Sequence, residues 1–600
     1  MTGETEGGGG RGPGLGDLLI GPLIVLHFLF LAWFFEPAIS TPDANGYLAQ
    51  ARLIAREGRS DIVVESPAQF VGDHWMPTGP GHYFGQYPPG LPALLAPVYG
   101  LFGPAAALWV DPAMGSLTLL ALYLVVRAWD GPGWALMATV LMAFNPFANF
   151  HALGADSHTA VCFFLMWGMV GLVAWERTRS PAPAVLCGIC LGMIPTIRYA
   201  ETLFLLPFAY FVARSWRRTE GFRSLAAGAF AAVVPMATLA VRNHRAFGAF
   251  WRTGYSVSGE QTGFGIGNFV SYFFPYLILL LTLGAAAVFV VGGWGMVELC
   301  RRPEHRVRGS FLVLLVAPIT LLYMAYYHPP GHNSTRFLLP TFYGYAIAAV
   351  SLMRLRTEAE PRSGKGLAGC LLVFTVLWGL PLTIYELRSL GRDNAVLAAV
   401  TRELQERVPR GSILIAQGGL QQHLDFIGGW RLAAEERFEH GPRPRPGGPP
   451  NPRRGHEPPA EAFGPEELGR RFRDEIARWA GDRHEVYWLT TPRQLDVVSS
   501  RLGVRDEFVP IATIRVPDPP PAPPEDRLGK EGAVRGGPPP RRRGLLWGGP
   551  PPEKAGGRLE SGRDPRRGGR DRPRGPARFE VPPDGNFVLV EWKVQGGSTP

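Results

Sequence analysis

Cysteine is scarce and wrongly placed for a disulfide-stapled protein. The five cysteines, Cys162, Cys187, Cys190, Cys300 and Cys370, lie in or beside apolar runs, and the large polar regions contain none. A disulfide framework is therefore excluded for those regions. Cys187-Gly-Ile-Cys190 has redox spacing, yet inside an apolar helix both read as buried small hydrophobes. The first apolar run closes on Phe34-Phe35-Glu36-Pro37 and lacks a small-residue cleavage site, so it reads as a retained span rather than a signal peptide. No convincing internal repeat is present, and no histidine pair has diagnostic metal-ligand spacing. Net charge is +10, but much of the arginine lies in the tail and in short loops between apolar runs, which gives no reason to invoke nucleic acid.

What the chain has in quantity is apolar sequence. A run from Leu18 to Phe35 meets the need for ~20 mostly apolar residues in a membrane helix, and similar runs recur to about Pro381. Mean hydropathy is only +0.05, because a tail rich in Pro, Gly and Arg dilutes the apolar body. The runs predict about eleven spans, near 18–36, 104–127, 133–151, 157–175, 181–197, 200–213, 224–241, 269–297, 310–327, 336–353 and 367–386. Arginine or lysine clusters at Arg177/Arg179, Arg214/Arg217/Arg218/Arg223, Arg301/Arg302/Arg306/Arg308 and Arg354/Arg356/Arg362/Lys365 alternate as cytoplasmic loops should. The N-terminus is then inside, and both the first loop and the region after 387 are outside.

The expected fold is an α-helical polytopic membrane protein with a small C-terminal α/β extracytoplasmic domain. Residues 1–17 read as a flexible tail, 18–386 as the membrane body, 37–103 as a long first outer loop and 387–516 as the small domain. Within that domain 393–408, 466–480 and 494–502 read as helices, 412–416 and 485–489 as strands, and 441–459 as a disordered insert. Residues 517–579 are too rich in Pro, Gly and Arg to bury a core and read as a disordered linker. The alternation in Asn586-Phe-Val-Leu-Val-Glu-Trp-Lys593, within the 580–600 segment, predicts a returning strand. In the first outer loop, 48–56 reads as a helix resting on the membrane surface.

Two acids stand at the outer face. Asp43 follows the first span in Ser40-Thr-Pro-Asp-Ala-Asn-Gly-Tyr47, and Asp156 precedes the fourth in His151-Ala-Leu-Gly-Ala-Asp-Ser-His158. Topology lets them converge, although Asp156 before an apolar run is also a natural helix N-cap. These pieces, with Tyr87-Pro-Pro-Gly-Leu-Pro92, Ile197-Arg198 and Thr335-Arg-Phe-Leu-Leu-Pro340, occur in an order that resembles the GT-C superfamily of membrane glycosyltransferases. The likeness is greatest to the family-39 group of protein O-mannosyltransferases and aminoarabinose transferases, over residues 18–386. Where that group often carries paired acids, this chain has Asp43 followed by Ala44.

The resemblance implies transfer of a hexosyl or pentosyl group from a polyprenyl-phosphate donor to a glycan, lipid or protein acceptor outside a bacterial plasma membrane. Asp43 is then the candidate general base, with Asp156 orienting the acceptor or joining Asp43 on a divalent metal ion. Arg336, Arg198, Arg242 and Arg245 are candidates for the donor phosphate, and Tyr47, Tyr87, His328 and His332 for lining the substrate site. His74, His82, His151 and His158 also lie on the outer side as available nitrogen ligands. The rival reading is a transporter or flippase of lipid-linked sugars, which would place its charges at mid-membrane.

Overall fold

A computed structural model describes residues 14–39, 41–215, 222–260, 263–416, 418–434, 465–481, 484–502, 505–515 and 586–593. The insert at 441–459 and the linker at 517–579 lie outside the described residues. Among the described residues, seven helices are long and apolar enough to cross a membrane: Leu15–Phe34, Pro104–Asp130, Ser157–Thr178, Phe222–Phe247, Arg306–Met324, Arg336–Ala359 and Pro361–Arg407. Two bent pairs bring the number to nine if each is one span.

Four of the runs expected as spans are not single long helices, for local reasons. The 133–151 run is broken into Pro132–Ala143 and Pro146–Leu153, bent by 64°. Pro146 bars continuation of the first helix, and the Asn145 side chain caps the second by accepting from the Ala148 N–H at 2.9 Å. The 269–297 run folds as Ile266–Thr282 and Ala286–Arg301, bent by 109°, with Ala286 at φ 45°. The 181–197 run is a 17-residue helix, and 200–213 begins as a 3-10 turn before Leu205–Ser215.

Small residues set the close helix contacts. A Cβ at Gly188 would collide with the backbone carbonyl of Gly228, and one at Gly192 with that of Ala232, so Pro181–Ile197 and Phe222–Phe247 touch backbone to backbone. Cys187 and Cys190 lie in that packed helix as free thiols, in keeping with their reading as small hydrophobes. Leu339–Ala359 is buried at nearly every position and is the axis of the helical body.

The segment after the first span carries the helix Pro42–Glu57. Thr41 accepts from the Ala44 N–H at 3.4 Å, Pro42 fits the first turn, and Gly58 ends the helix at φ 64°. It starts well before the expected 48–56, and it is covered by protein: Ala44 through Ala51 are buried. A three-stranded antiparallel sheet follows, in the order β1 (Asp61–Val63), β3 (His82–Gly85), β2 (Trp75–Gly79).

Among the described residues the second sheet has five strands, ordered β5 (Arg431–Ala434), β4 (Ile413–Ala416), β6 (Val486–Thr490), β8 (Asn586–Trp592), β7 (Phe508–Arg515). β4 pairs parallel with β5 and β6, and β8 is antiparallel to β6 and β7. The terminal segment thus returns as an inner strand. The expected 393–408 helix is the end of one long helix, Leu380–Arg407, which leads from the apolar body into the sheet. A further helix, Gly418–Ile427, packs on the Pro42–Glu57 helix, where Asn45 Nδ2 donates to the Gln422 carbonyl at 3.0 Å and to Asp425 at 3.1 Å. Phe70 N–H donates to the Leu432 carbonyl at 2.7 Å, which ties the loop to β5.

The glycine contact gives a test of the packing. Gly188→Ala should cost about 1–3 kcal/mol and lower the thermal unfolding midpoint in detergent, because the added methyl meets backbone. Gly366→Ala, at a helical position open to space, should not lower it.

Candidate active site

Asp43 occupies the first turn of its helix, where unpaired N–H groups favour an anion. Its Oδ2 meets Arg336 Nη2 at 2.5 Å, and its Oδ1 receives both His74 Nε2 at 3.0 Å and the Tyr87 hydroxyl at 3.0 Å. One turn further on, Gly46 and Tyr47 share the face of Asp43. Gly46 is needed there: a Cβ would stand 2.8 Å from the Tyr87 ring and 3.3 Å from the His74 Cβ. Tyr47 stacks on Tyr87 with ring centroids 4.5 Å apart, and His74 lies 4.7 Å from the same ring. The Asp-Ala-Asn-Gly-Tyr motif therefore builds one face of the site with Asp43, Gly46 and Tyr47 and turns Asn45 toward the C-terminal helix.

Burial pushes the Asp43 carboxyl up, but the Arg336 charge, the hydrogen bond and charge of His74 and the Tyr87 hydroxyl hold it well below the usual carboxylate range. Arg336 also lies over the Phe337 ring at 5.4 Å, and its buried Nε has no partner among the described residues. Behind it, Tyr47 donates to the Ser157 hydroxyl at 2.9 Å, and Arg198 Nη1 reaches the same hydroxyl at 3.2 Å.

The other candidates divide clearly. Asp156 caps the Ser157–Thr178 helix, accepting from the His158 N–H at 2.8 Å, and its second oxygen pairs with His151 Nδ1. Burial raises its carboxyl, but His151 and the charge of Arg336 outweigh this and lower it. Arg198 spends its donors on Glu201 at 2.6 Å, Ser157, and the Tyr323 hydroxyl at 3.2 Å; with Glu201 fully buried, the arginine is already neutralised and acts as a structural tie. Arg242 donates to the Gly85 carbonyl at 2.6 Å and lies against Phe84 and Phe247, holding β3 to the Phe222–Phe247 helix. Arg245 is exposed, and no polar contact among the described residues links it to Asp43. His328 packs among Tyr326, Tyr327 and Phe337. The His332 side chain lies outside the described residues.

The donor set does not suit the divalent ion expected between Asp43 and Asp156. Each carboxylate has both oxygens engaged by cationic or hydrogen-bonding groups, and among the described residues no three His, Cys, Asp or Glu side chains gather as a metal site. Sequence reasoning missed His74 as a partner of Asp43, having weighed it as an interfacial hydrogen-bonding group or a nitrogen ligand. It also missed Glu260, whose charge bears on Tyr87, Tyr326 and Tyr327.

Because the folded-state pKa of Asp43 is depressed, its stabilising contribution is complete above the unfolded value of about 3.9 and fades as pH falls through the folded value. Arg336→Gln should therefore cost of order 1–3 kcal/mol near neutral pH, with the gap to wild type closing in acid. Thermal unfolding midpoints measured from pH 7 downward check both parts.

No family model and no curated protein sequence matches the chain. Among solved structures, ArnT from Cupriavidus metallidurans bound to undecaprenyl phosphate superposes with a TM-score of 0.54 at 12% identity, over 82% of this chain and 96% of that one. Its apo state gives 0.53 at 12% identity, over 82% and 95%. The oligosaccharyltransferase of Archaeoglobus fulgidus, tethered with an acceptor peptide, gives 0.45 at 12% identity, over 82% and 72%. The chain therefore shares its overall fold with the ArnT structures over most of the length of both chains.

Proposed function

We propose that the chain transfers a hexosyl or pentosyl group from a polyprenyl-phosphate donor to a hydroxyl acceptor on the extracytoplasmic face, with inversion at the anomeric carbon. The observation that carries this reading is the contact of Asp43 with Arg336 at one site. Such a transfer needs a base for the acceptor proton and a cation for the phosphate that departs, and the two must lie close to a single anomeric carbon. Here a base centred on Asp43 serves the acceptor. Arg336, whose buried Nε has no partner among the described residues beside its bond to Asp43, serves the leaving phosphate. Tyr87 and Tyr47 supply the aromatic wall against which a sugar ring packs. The undecaprenyl phosphate held by the ArnT structure of similar fold supports the choice of donor class.

The test is transfer in proteoliposomes from radiolabelled undecaprenyl-phosphate hexoses and pentoses. Asp43→Asn should lower kcat by ~10²–10⁴-fold, the range for loss of general-base catalysis. Arg336→Lys should weaken donor use by at least ~10-fold, since a point charge cannot replace the planar guanidinium fork. Full transfer by a folded Asp43→Asn protein would refute the assignment.

A further inference from the structure

An acid clamped as Asp43 is makes a poor proton acceptor. Both of its oxygens are occupied, Oδ2 by Arg336 and Oδ1 by His74 and Tyr87, and the adjacent guanidinium disfavours the neutral carboxyl. The same surroundings make it a strong acceptor of a hydrogen bond from an imidazole. We propose that His74 is the group that takes the acceptor proton, on Nδ1, while Asp43 fixes the ring through Nε2–H and stabilises the imidazolium that forms. This deepens the glycosyl-transfer reading and rests on it.

The geometry around His74 supports the assignment. The residue immediately precedes β2, and its carbonyl accepts from the Gln86 N–H at 2.7 Å, which holds its backbone against the segment leading to Tyr87. Its ring lies 4.7 Å from Tyr87, and its Cβ stands where only Gly46 on the Asp43 helix leaves room. The ring is thus positioned from two sides. Nε2 is committed to Asp43 at 3.0 Å. Because an ionised carboxylate only accepts, that nitrogen carries a proton, and neutral His74 therefore has its lone pair on Nδ1. No protein partner for Nδ1 is found among the described residues, and the side chain is 19% exposed, so a substrate hydroxyl can reach the ring.

The step balances without a further reactant. The acceptor oxygen forms a bond to the anomeric carbon as the bond from that carbon to the phosphate oxygen breaks. The electron pair leaves with the phosphate, where Arg336 meets it, and the hydroxyl proton passes to Nδ1. Water then removes the proton from the imidazolium.

His74→Gln separates this role from a structural one, because glutamine can still donate a hydrogen bond to Asp43 but cannot take a proton. Wild type and variants would be assayed in proteoliposomes for release or transfer of sugar from radiolabelled undecaprenyl-phosphate mannose, glucose and arabinose, with water and methanol as acceptors. His74→Gln should fold as wild type, keep KM within about twofold and lose at least ~10²-fold in kcat. Added imidazole should restore part of the activity of His74→Ala. A His74→Gln enzyme within about threefold of wild type would overturn the proposal and return the proton to Asp43. Absence of sugar transfer by wild type with every donor would instead sink the glycosyl-transfer reading. Nitrogen-15 NMR of histidine-labelled protein, with His74→Gln to assign the signal, decides the tautomer independently of activity. Nδ1 bare and Nε2 protonated is the expected result, and the opposite tautomer would overturn the role of His74.

Discussion

The ion pair between Asp43 and Arg336 is the interaction on which the site depends. One charge sits in the first turn of the Pro42–Glu57 helix and the other at the head of a deeply buried membrane helix, so each orients the element that carries the other. Two half-buried charges are costly to hold apart from water unless each is also hydrogen-bonded, and His74 and Tyr87 meet that requirement for the carboxylate. Among the described residues the arginine keeps an unspent donor and the histidine a nitrogen without a protein partner. Those are the two chemical capacities a glycosyl transfer from a phosphate donor needs.

The C-terminal sheet belongs to the same account. Asn45 lies two residues after Asp43 and spends its side chain on Gln422 and Asp425, while Arg52, lower on the same helix, meets Asp425 at 3.5 Å. Tyr99 donates to the carbonyls of Phe426 and Ile427 at 3.1 Å. The helix that bears the acid is therefore gripped between the membrane body on one side and Gly418–Ile427 on the other. Burial pushes the Asp425 carboxyl up against the pull of Arg52 and Asn45, the mark of a group committed to packing.

How much of this could be read from the sequence follows from what is local. Asp156 announced itself through its place before an apolar run, a signal that acts within a few residues, whereas the helix Pro42–Glu57 was legible only over 48–56, where its apolar face repeats. The membrane body was legible because apolar runs need no partner to be recognised. The bend at Ala286 was not, since Gly284-Ala-Ala-Ala287 reads as unbroken helix and the turn arises from packing beneath Phe342 and Thr335. The partnership of His74 with Asp43 was equally hidden. It is made by the segment between β1 and β2 folding back over Gly46, and nothing in linear spacing records that approach. Arg198 shows the converse: a cation well placed in sequence is spent on Glu201, a partner whose burial only the fold reveals.

The most direct measurement is a structure of the chain with undecaprenyl phosphate bound in a lipid nanodisc. The account predicts a phosphate oxygen within ~3.2 Å of the Arg336 guanidinium, with Asp43 and His74 facing the side from which an acceptor would enter. A phosphate held elsewhere, with Arg336 bonded to Asp43 alone, would contradict it.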